Sequence, residues 1–218
     1  KIRGDKDDLN PPPFVVQGDM LRLGVTAQGD LVDDIKFKLS AANITQILLK
    51  GSGDVFVKPL SVDDLVVSVD GSGQIRLFDV KSADLEMQVT GSGGVQAVRL
   101  DADAVRLNVQ GSGDIQLGGV EAQSIKAQIA GSGEILVQDE GRAEILEVAM
   151  MGSGDVDMKD VATKIAKVTI LGSGDARVRV AESLEAEILG SGDLEYYGKP
   201  ETSTSVMGSG DITQRDGR

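Results

Sequence analysis

The sequence predicts an all-β chain: a single-stranded, right-handed parallel β-helix of about nine coils, with repeats of about 20 residues. Three observations predict it. A glycine tripeptide recurs at near-constant spacing, apolar residues alternate on both sides of it, and the composition suits a narrow interior. One repeat cannot bury its apolar face alone, whereas stacked repeats share a continuous core.

The tripeptide Gly-Ser-Gly occurs nine times in the 218 residues, at intervals of 20, 20, 20, 20, 21, 20, 18 and 18 residues. The first residues of the nine tripeptides are Gly51, Gly71, Gly91, Gly111, Gly131, Gly152, Gly172, Gly190 and Gly208. A β-propeller is the main alternative, but its blades need about 40 residues and four strands. The spacing therefore favours a solenoid with one tripeptide in each coil.

Apolar residues flank each tripeptide with a strict period of two, as Leu65, Val67 and Val69 do before Gly71. A second alternating pair follows it, and a further apolar residue comes three positions later. This period is typical of a strand with one buried face. Counting by twos places both glycines inward and the serine outward, and inward glycines let the wall turn where no side chain fits. Right-handedness follows from the chirality of parallel strand connections.

The composition limits which side chains can fill the interior and which partners and sites the chain can have. Aromatic residues make up 3% of the chain and Trp is absent, so the core must be aliphatic. A net charge of -13 repels phosphate backbones, and no nucleic acid partner is expected. The chain has neither Cys nor His, which excludes disulfides, Cys/His metal sites and His-based triads. No stretch approaches the roughly 20 apolar residues of a transmembrane helix.

The domain organisation is predicted as one structural domain with three segments. Residues 1–44 form an N-terminal cap and a degenerate first coil, 45–213 form the β-helix repeats, and 214–218 form a charged tail. The run Pro11–Pro13 cannot pair as a central strand. The weaker pattern over 29–49 reads as the degenerate coil. An open β stack needs such caps to avoid end-to-end aggregation.

A carboxylate follows the tripeptide in seven of the nine coils, beginning with Asp54, and the column is broken at Gln74 and Gly94. One hypothesis is a calcium site. However, calcium-binding β-rolls gather several oxygens per ion from a nine-residue repeat. The interpretation preferred here is that each Asp side chain caps turn amides. No metal and no cofactor are therefore expected.

The column immediately before the tripeptide is the most informative surface feature. It is polar in the early coils and becomes apolar in the later ones, at Met151, Leu171, Leu189 and Met207. Stacked at about 4.8 Å, these side chains would form an exposed hydrophobic stripe. Three explanations stay open: cover by the chain's own segment Phe14–Val16, contact with a homo-oligomer or another partner, or a misplaced register.

A polysaccharide lyase is the enzyme hypothesis for a β-helix. Such an enzyme needs a groove with clustered carboxylates and a base, and the coils here have essentially no insertions to build one. The arginines Arg76, Arg99, Arg177 and Arg179 do not converge by any visible spacing. The prediction is no catalytic residue and no enzyme activity.

The repeated Gly-Ser-Gly-Asp followed by an alternating aliphatic pair, over roughly residues 45–212, resembles the GIN-type auto-transporter adhesin head domain. The resemblance implies a bacterial β-helix exported to the periplasm, the outer membrane or the cell surface. It implies no catalytic residue. The expected role is a non-catalytic, adhesin-like binding or scaffold module with an envelope protein, a glycan or a second copy as partner. The alternatives are a polysaccharide-binding or lyase-type β-helix and a polymer-forming, bactofilin-like scaffold.

Overall fold

The computed structural model describes residues 1–4, 9–32, 34–41 and 43–216. The chain divides into two compact units, Lys1–Asn43 and Ile44–Arg218. Their boundary lies beside residue 44, where the sequence pattern changes; the expectation of one structural domain remains a prediction.

The strands of the first unit are β1 Ile2–Arg3, β2 Phe14–Gln17, β3 Met20–Leu23 and β4 Lys36–Phe37. Those of the second unit are β5 Gln46–Gly51, β6 Asp54–Val57, β7 Leu60–Ser61, β8 Asp64–Gly71, β9 Gln74–Gly91, β10 Gly94–Gly111, β11 Asp114–Gly131, β12 Glu134–Val137, β13 Gly141–Gly152, β14 Asp155–Gly172, β15 Ala176–Gly190, β16 Leu194–Tyr197, β17 Glu201–Gly208 and β18 Ile212–Arg215.

The second unit is a parallel β-solenoid. All of its strands join one 14-stranded sheet in which every pair is parallel. Residues of β10 pair with residues 20 positions earlier in β9 and 20 positions later in β11. The chain makes about eight turns between the first tripeptide and the ninth, close to the nine coils predicted. No helix occurs in the described part of the chain. The predicted fold class is therefore confirmed.

The interior consists of the aliphatic side chains that alternate along each strand. In β8, Leu65, Val67 and Val69 are at most 1% exposed while the residues between them face outward. The same columns continue through the following coils, with Met, Ala and Ile as the other side chains. Each buried aliphatic side chain contributes about 1.5–3 kcal/mol relative to an exposed one. No aromatic side chain among the described residues is fully buried, in keeping with a narrow core.

Both glycines of the tripeptide are needed because successive coils approach too closely for a side chain. A Cβ built on Gly131 would lie 2.2 Å from the carbonyl oxygen of Gly111, and its φ of 137° also disfavours other residues. A Cβ on Gly133 would lie 2.1 Å from the oxygen of Gly113 and 2.6 Å from the side chain of Val109. The inward orientation predicted for the second glycine is confirmed by its contact with Val109, whereas a Cβ on the first would meet only backbone atoms of Gly111.

The turn is held by backbone amides. The amides of Ser92 and Gly93 both donate to the carbonyl oxygen of Gly71, at 3.0 and 2.9 Å. The amide of Gly94 donates to Gly73 at 3.0 Å. Buried backbone groups need partners, and this ladder supplies them where the chain changes direction. Stacking of the tripeptides along the solenoid is therefore set by main-chain atoms rather than by serine hydroxyls.

The first unit is not a degenerate coil. Its strands are antiparallel: β1 pairs with β4, placing Ile2 opposite Phe37, and β2 pairs with β3 across a turn at Gly18, whose φ is 61°. The predicted coil over 29–49 is therefore wrong before β5, where parallel pairing begins. Residues 29–43 contain one glycine instead of a tripeptide, so they lack the feature that allows coils to approach closely.

The predicted C-terminal tail also begins too early. Gln214 and Arg215 belong to β18, where they pair with Tyr196 and Tyr197 of β16. All four residues of β18 pair in register with Leu194–Tyr197 of β16. Residues 217 and 218 of the predicted tail lie outside the described residues.

Candidate functional site

The candidate binding surface is the apolar column, defined as Met151, Leu171, Leu189 and Met207. The four residues pair in sequence along the parallel strands, Met151 with Leu171, Leu171 with Leu189 and Leu189 with Met207. Met151, Leu171 and Met207 are 56%, 39% and 57% exposed, and Leu189 is partly buried. The register was therefore placed correctly, and the explanation by a misplaced register is excluded.

The surroundings of the apolar column are polar. The same column continues toward the N-terminus as Ala130 and then as Gln110, Thr90, Asp70 and Lys50. Two residues earlier on each strand, the outward positions are small or polar, among them Thr169 and Ser205. Large apolar side chains in a row, bordered by polar residues, are typical of an interaction surface.

The carboxylates after the tripeptide bond to backbone amides. A side-chain oxygen of Asp155 accepts from the amide of Asp175 at 2.9 Å, and Asp175 accepts in turn from the amide of Asp193 at 2.9 Å. Asp193 repeats the bond to Asp211, and Asp114 repeats it to Glu134, at 2.8 and 3.2 Å. The capping interpretation is therefore confirmed at these four positions. Each acid bonds the next coil, so the column ties successive coils together.

The carboxyl of Glu134, in this column, has a pKa above its ordinary value. Burial raises the pKa of its carboxyl, and the negative charges of Asp114, Asp155 and Asp157 raise it further. A like-charged column disfavours ionisation of its least solvated member. Among the described residues, no three Asp or Glu side chains lie in an arrangement that could hold a metal ion.

A charged ladder along the last coils was not predicted. Arg177 donates to Asp157 at 3.3 Å and to Glu195 at 3.4 Å, and Arg215 also donates to Glu195. These contacts lower the pKa of the Glu195 carboxyl, chiefly through the hydrogen bond from Arg215. Asp157, Arg177 and Glu195 each stand three positions after a tripeptide. Counting that offset would have found most of the ladder from the sequence.

The ladder lies where a 20-residue coil meets an 18-residue coil. The register between β14 and β15 shifts after Met158, so residues 159–161 have no opposite partners in β15. Side chains fill the irregularity: Arg179 donates to the carbonyl of Lys159 at 2.8 Å, and the Thr163 hydroxyl donates to the carbonyl of Arg179 at 2.6 Å. The Arg179 guanidinium also lies 5.7 Å from the ring centroid of Tyr197. These contacts have a structural explanation, the joining of coils of unequal length.

A shallow groove on another side of the solenoid bears on the lyase hypothesis. It has a volume of about 370 Å³ and is lined by Asp79, Lys81, Arg99 and Asp101 together with apolar residues. Lys81 donates to Asp101 at 2.8 Å, and this bond raises the pKa of the Lys81 ammonium. A general base needs a pKa near the working pH, so a lysine stabilised in its charged form is poorly suited to the role. Arg76 and Arg177 lie elsewhere, Arg76 with its guanidinium 5.4 Å from the ring centroid of Phe56.

Comparison with solved structures shows the same fold. A crystal structure of a putative lipid binding protein from Parabacteroides distasonis has a TM-score of 0.73 and 22% identity, and a putative adhesin from the same species has 0.70 and 22%. A putative adhesin from Parabacteroides merdae has a TM-score of 0.64 and 17% identity. In each case the alignment covers 81% of this chain and 94% of the other. Among curated protein sequences no relative was found.

Within the described residues, no helical segment has the length and apolar character that crossing a membrane requires.

A family profile described as putative auto-transporter adhesin, head GIN domain, matches residues 1–138 and 94–200. The two matches together extend over most of the chain and include the repeats on which the resemblance was first noted. The chain therefore belongs to the GIN-domain family of auto-transporter adhesin heads.

Proposed function

We propose that this chain is a non-catalytic, adhesin-like binding module of the cell envelope, exported to the periplasm, the outer membrane or the cell surface. The observation that carries the proposal is the apolar column, whose Met151, Leu171 and Met207 remain 39–57% exposed on a regular face. The family and the structural neighbours support it, since the family is described as a putative auto-transporter adhesin head domain and the neighbours as putative adhesins and a putative lipid binding protein.

The chemistry of the apolar column favours a protein partner over a glycan. Thioether and branched aliphatic side chains offer no strong hydrogen-bonding group, whereas sugars are recognised through their hydroxyls. Methionine adapts its shape to irregular apolar surfaces, which suits it to a binding face. The partner proposed is therefore an envelope protein with an exposed apolar patch, which the column contacts along about 15 Å of stacked strands.

Cell fractionation and surface proteolysis test the location. An antibody against the chain should detect it in envelope fractions of the producing organism and not in the cytosolic fraction. Its detection only in the cytosol would refute the envelope assignment.

A binding assay tests the apolar column. The variant that carries both Met151→Lys and Leu171→Lys should bind envelope fragments at least about tenfold more weakly than the original chain, because two buried apolar contacts would be replaced by charges. The control is Gln128→Lys, which adds one positive charge at an exposed position on β11. Pretreatment of the fragments with protease should abolish binding. Retention of binding after proteolysis would indicate a glycan or lipid ligand and would refute the protein partner.

A further inference from the structure

We propose that two copies of this chain associate through one side of the solenoid, about a two-fold axis parallel to the solenoid axis. The dimer face consists of the outward residues of segments 84–90, 104–110, 124–130, 145–151 and 165–171, and it includes Met151 and Leu171 of the apolar column. The proposal deepens the proposed function and rests on it for the competing occupant of the apolar column, the envelope partner.

The dimer face is bordered by apolar side chains on both sides. In β13 the residues at 145, 147, 149 and 151 alternate with buried ones and therefore point outward together. Ile145 is 51% exposed and pairs with Ile165, which is 46% exposed. These two isoleucines form one border, and Met151 and Leu171 form the other. Large apolar side chains that adjoin each other and stay open to water indicate a surface that a partner covers.

The two-fold axis brings the two apolar borders together. It reverses the strand direction in the second copy and keeps each coil opposite the same coil, so position 145 faces position 151. Ile145 then contacts Met151 of the second copy, and the next coil repeats this contact with Ile165 and Leu171. Each contact occurs twice because a two-fold interface uses the same patch on both copies. A two-fold axis along the strands would instead reverse the order of the coils and place Ile165 against Asp84.

The same symmetry places charged residues of the dimer face opposite neutral ones. The column that contains Glu147 is charged in all five segments, and it faces the column that contains Ala149, which is neutral in all five. The opposed pairs are Glu86 with Gln88, Arg106 with Asn108, Lys126 with Gln128, Glu147 with Ala149 and Lys167 with Thr169. No like charges are therefore opposed directly. In the following coil Glu185 would face Glu187, so the contact is expected to end at segment 165–171.

The size of the dimer face fits a dimer of moderate affinity. Four outward columns about 6.6 Å apart and five coils about 4.8 Å apart cover about 26 by 24 Å, or about 600 Å² per copy. Two copies together would bury about 1,200 Å², which is the lower end of the range for stable interfaces, about 1,200–2,000 Å². A dissociation constant of about 1–100 μM is therefore expected. The two-fold contact is closed and stops at a dimer.

Sedimentation of the full chain tests the dimer. At about 200 μM the chain should sediment mainly at twice its mass of 22.8 kDa. Ile165→Lys should weaken association about tenfold or more, because a charge would be buried against Leu171 of the second copy. The matched control is Val98→Lys, because Val98 is an apolar residue that is 55% exposed and lies outside the dimer face. A monomer at that concentration, or equal weakening by both variants, would overturn the proposal.

Mixed variants test the register, and restored association also shows that each variant chain is folded. Chains with Ile165→Lys, mixed with chains with Leu171→Glu, should associate again, because the two new charges are opposite and face each other. Chains with Ile165→Lys, mixed with chains with Ile165→Glu, should stay weakly associated, because both charges then face Leu171. Restoration in the second mixture and not in the first would rule out a two-fold axis parallel to the solenoid axis.

Two sets of variants separate the dimer from the proposed function. Ile165→Lys lies outside the apolar column, so it should weaken the dimer without weakening the binding of envelope fragments. The same holds for Gln128→Lys, because Gln128 faces Lys126 of the second copy. The variant with Met151→Lys and Leu171→Lys should weaken both. A chain that sediments as a monomer but binds the fragments through the apolar column would overturn the dimer alone, whereas a dimer whose double variant still binds the fragments would overturn the envelope partner.

Discussion

Replacement of Gly133 by alanine should destabilise the solenoid by about 3–5 kcal/mol. The new Cβ would lie 2.1 Å from the carbonyl oxygen of Gly113 and 2.6 Å from Cγ1 of Val109, against a comfortable contact of about 3.5 Å. The carbonyl is part of the backbone and cannot rotate away, so the two coils must separate by about 1.4 Å. Overpacking of this kind costs about 1–3 kcal/mol. Weakening of ladder bonds such as Glu134 N–H to Gly113 adds about 0.5–1.5 kcal/mol each.

The matched control is Gly53→Ala, the same change in the first coil. Its Cβ would have only a side-chain atom of Leu49 nearby, at 3.8 Å, and its φ lies outside the left-handed region. For Gly53→Ala, urea unfolding followed by circular dichroism should show a free energy of unfolding that is unchanged or higher by up to about 1 kcal/mol. The midpoint of thermal unfolding should fall by about 6–20 °C for Gly133→Ala. Equal effects of the two changes, within about 0.5 kcal/mol, would refute the steric argument.

Three further predictions concern the acidic side chains. Asp155→Ala removes the acceptor for the next coil's amide and should cost about 0.5–2 kcal/mol in urea unfolding. Asp54→Ala should change little, because the Asp54 carboxylate accepts no amide hydrogen bond from the described part of the chain. Glu134→Gln should raise the thermal midpoint at pH 7 and lose this effect below pH 4.5, because a carboxyl whose folded pKa is raised favours the folded state only while it is protonated. Glu195→Gln should do the opposite and lower the midpoint at pH 7 by about 1–3 °C, because a carboxyl whose folded pKa is lowered by Arg215 stabilises the folded state above pH 4.5 and loses this contribution as the pH falls. Midpoints that do not depend on pH in these two variants would contradict the assigned causes.

Most of the solenoid could be predicted because its repeat is visible in the sequence as a regular spacing of tripeptides and apolar residues. A spacing of 20 residues between tripeptides becomes the register of β9, β10 and β11 directly. The apolar column was likewise found by counting, since equivalent positions in stacked parallel coils must adjoin. The charged ladder of Asp157, Arg177 and Glu195 follows the same arithmetic but was missed because its members have opposite charges and do not look like a repeat.

The errors lie where the repeat weakens. Residues 29–43 have alternating apolar side chains, but alternation alone does not specify whether a strand pairs in parallel or antiparallel fashion, and β4 pairs with β1. The shift after Met158 could not be placed from the sequence either, because a loss of two residues per coil can be absorbed anywhere between tripeptides.

By itself, the sequence determined the class of fold, the spacing of the coils, the aliphatic core and the position of the apolar column. These follow from local periodicity, which the pleat and the stacking of strands convert directly into geometry. Only the tertiary structure decided which carboxylates bond to amides and which charges pair across coils of unequal length. Such features depend on distances between coils and on what lies next to each strand, and no pattern within a single repeat contains that information.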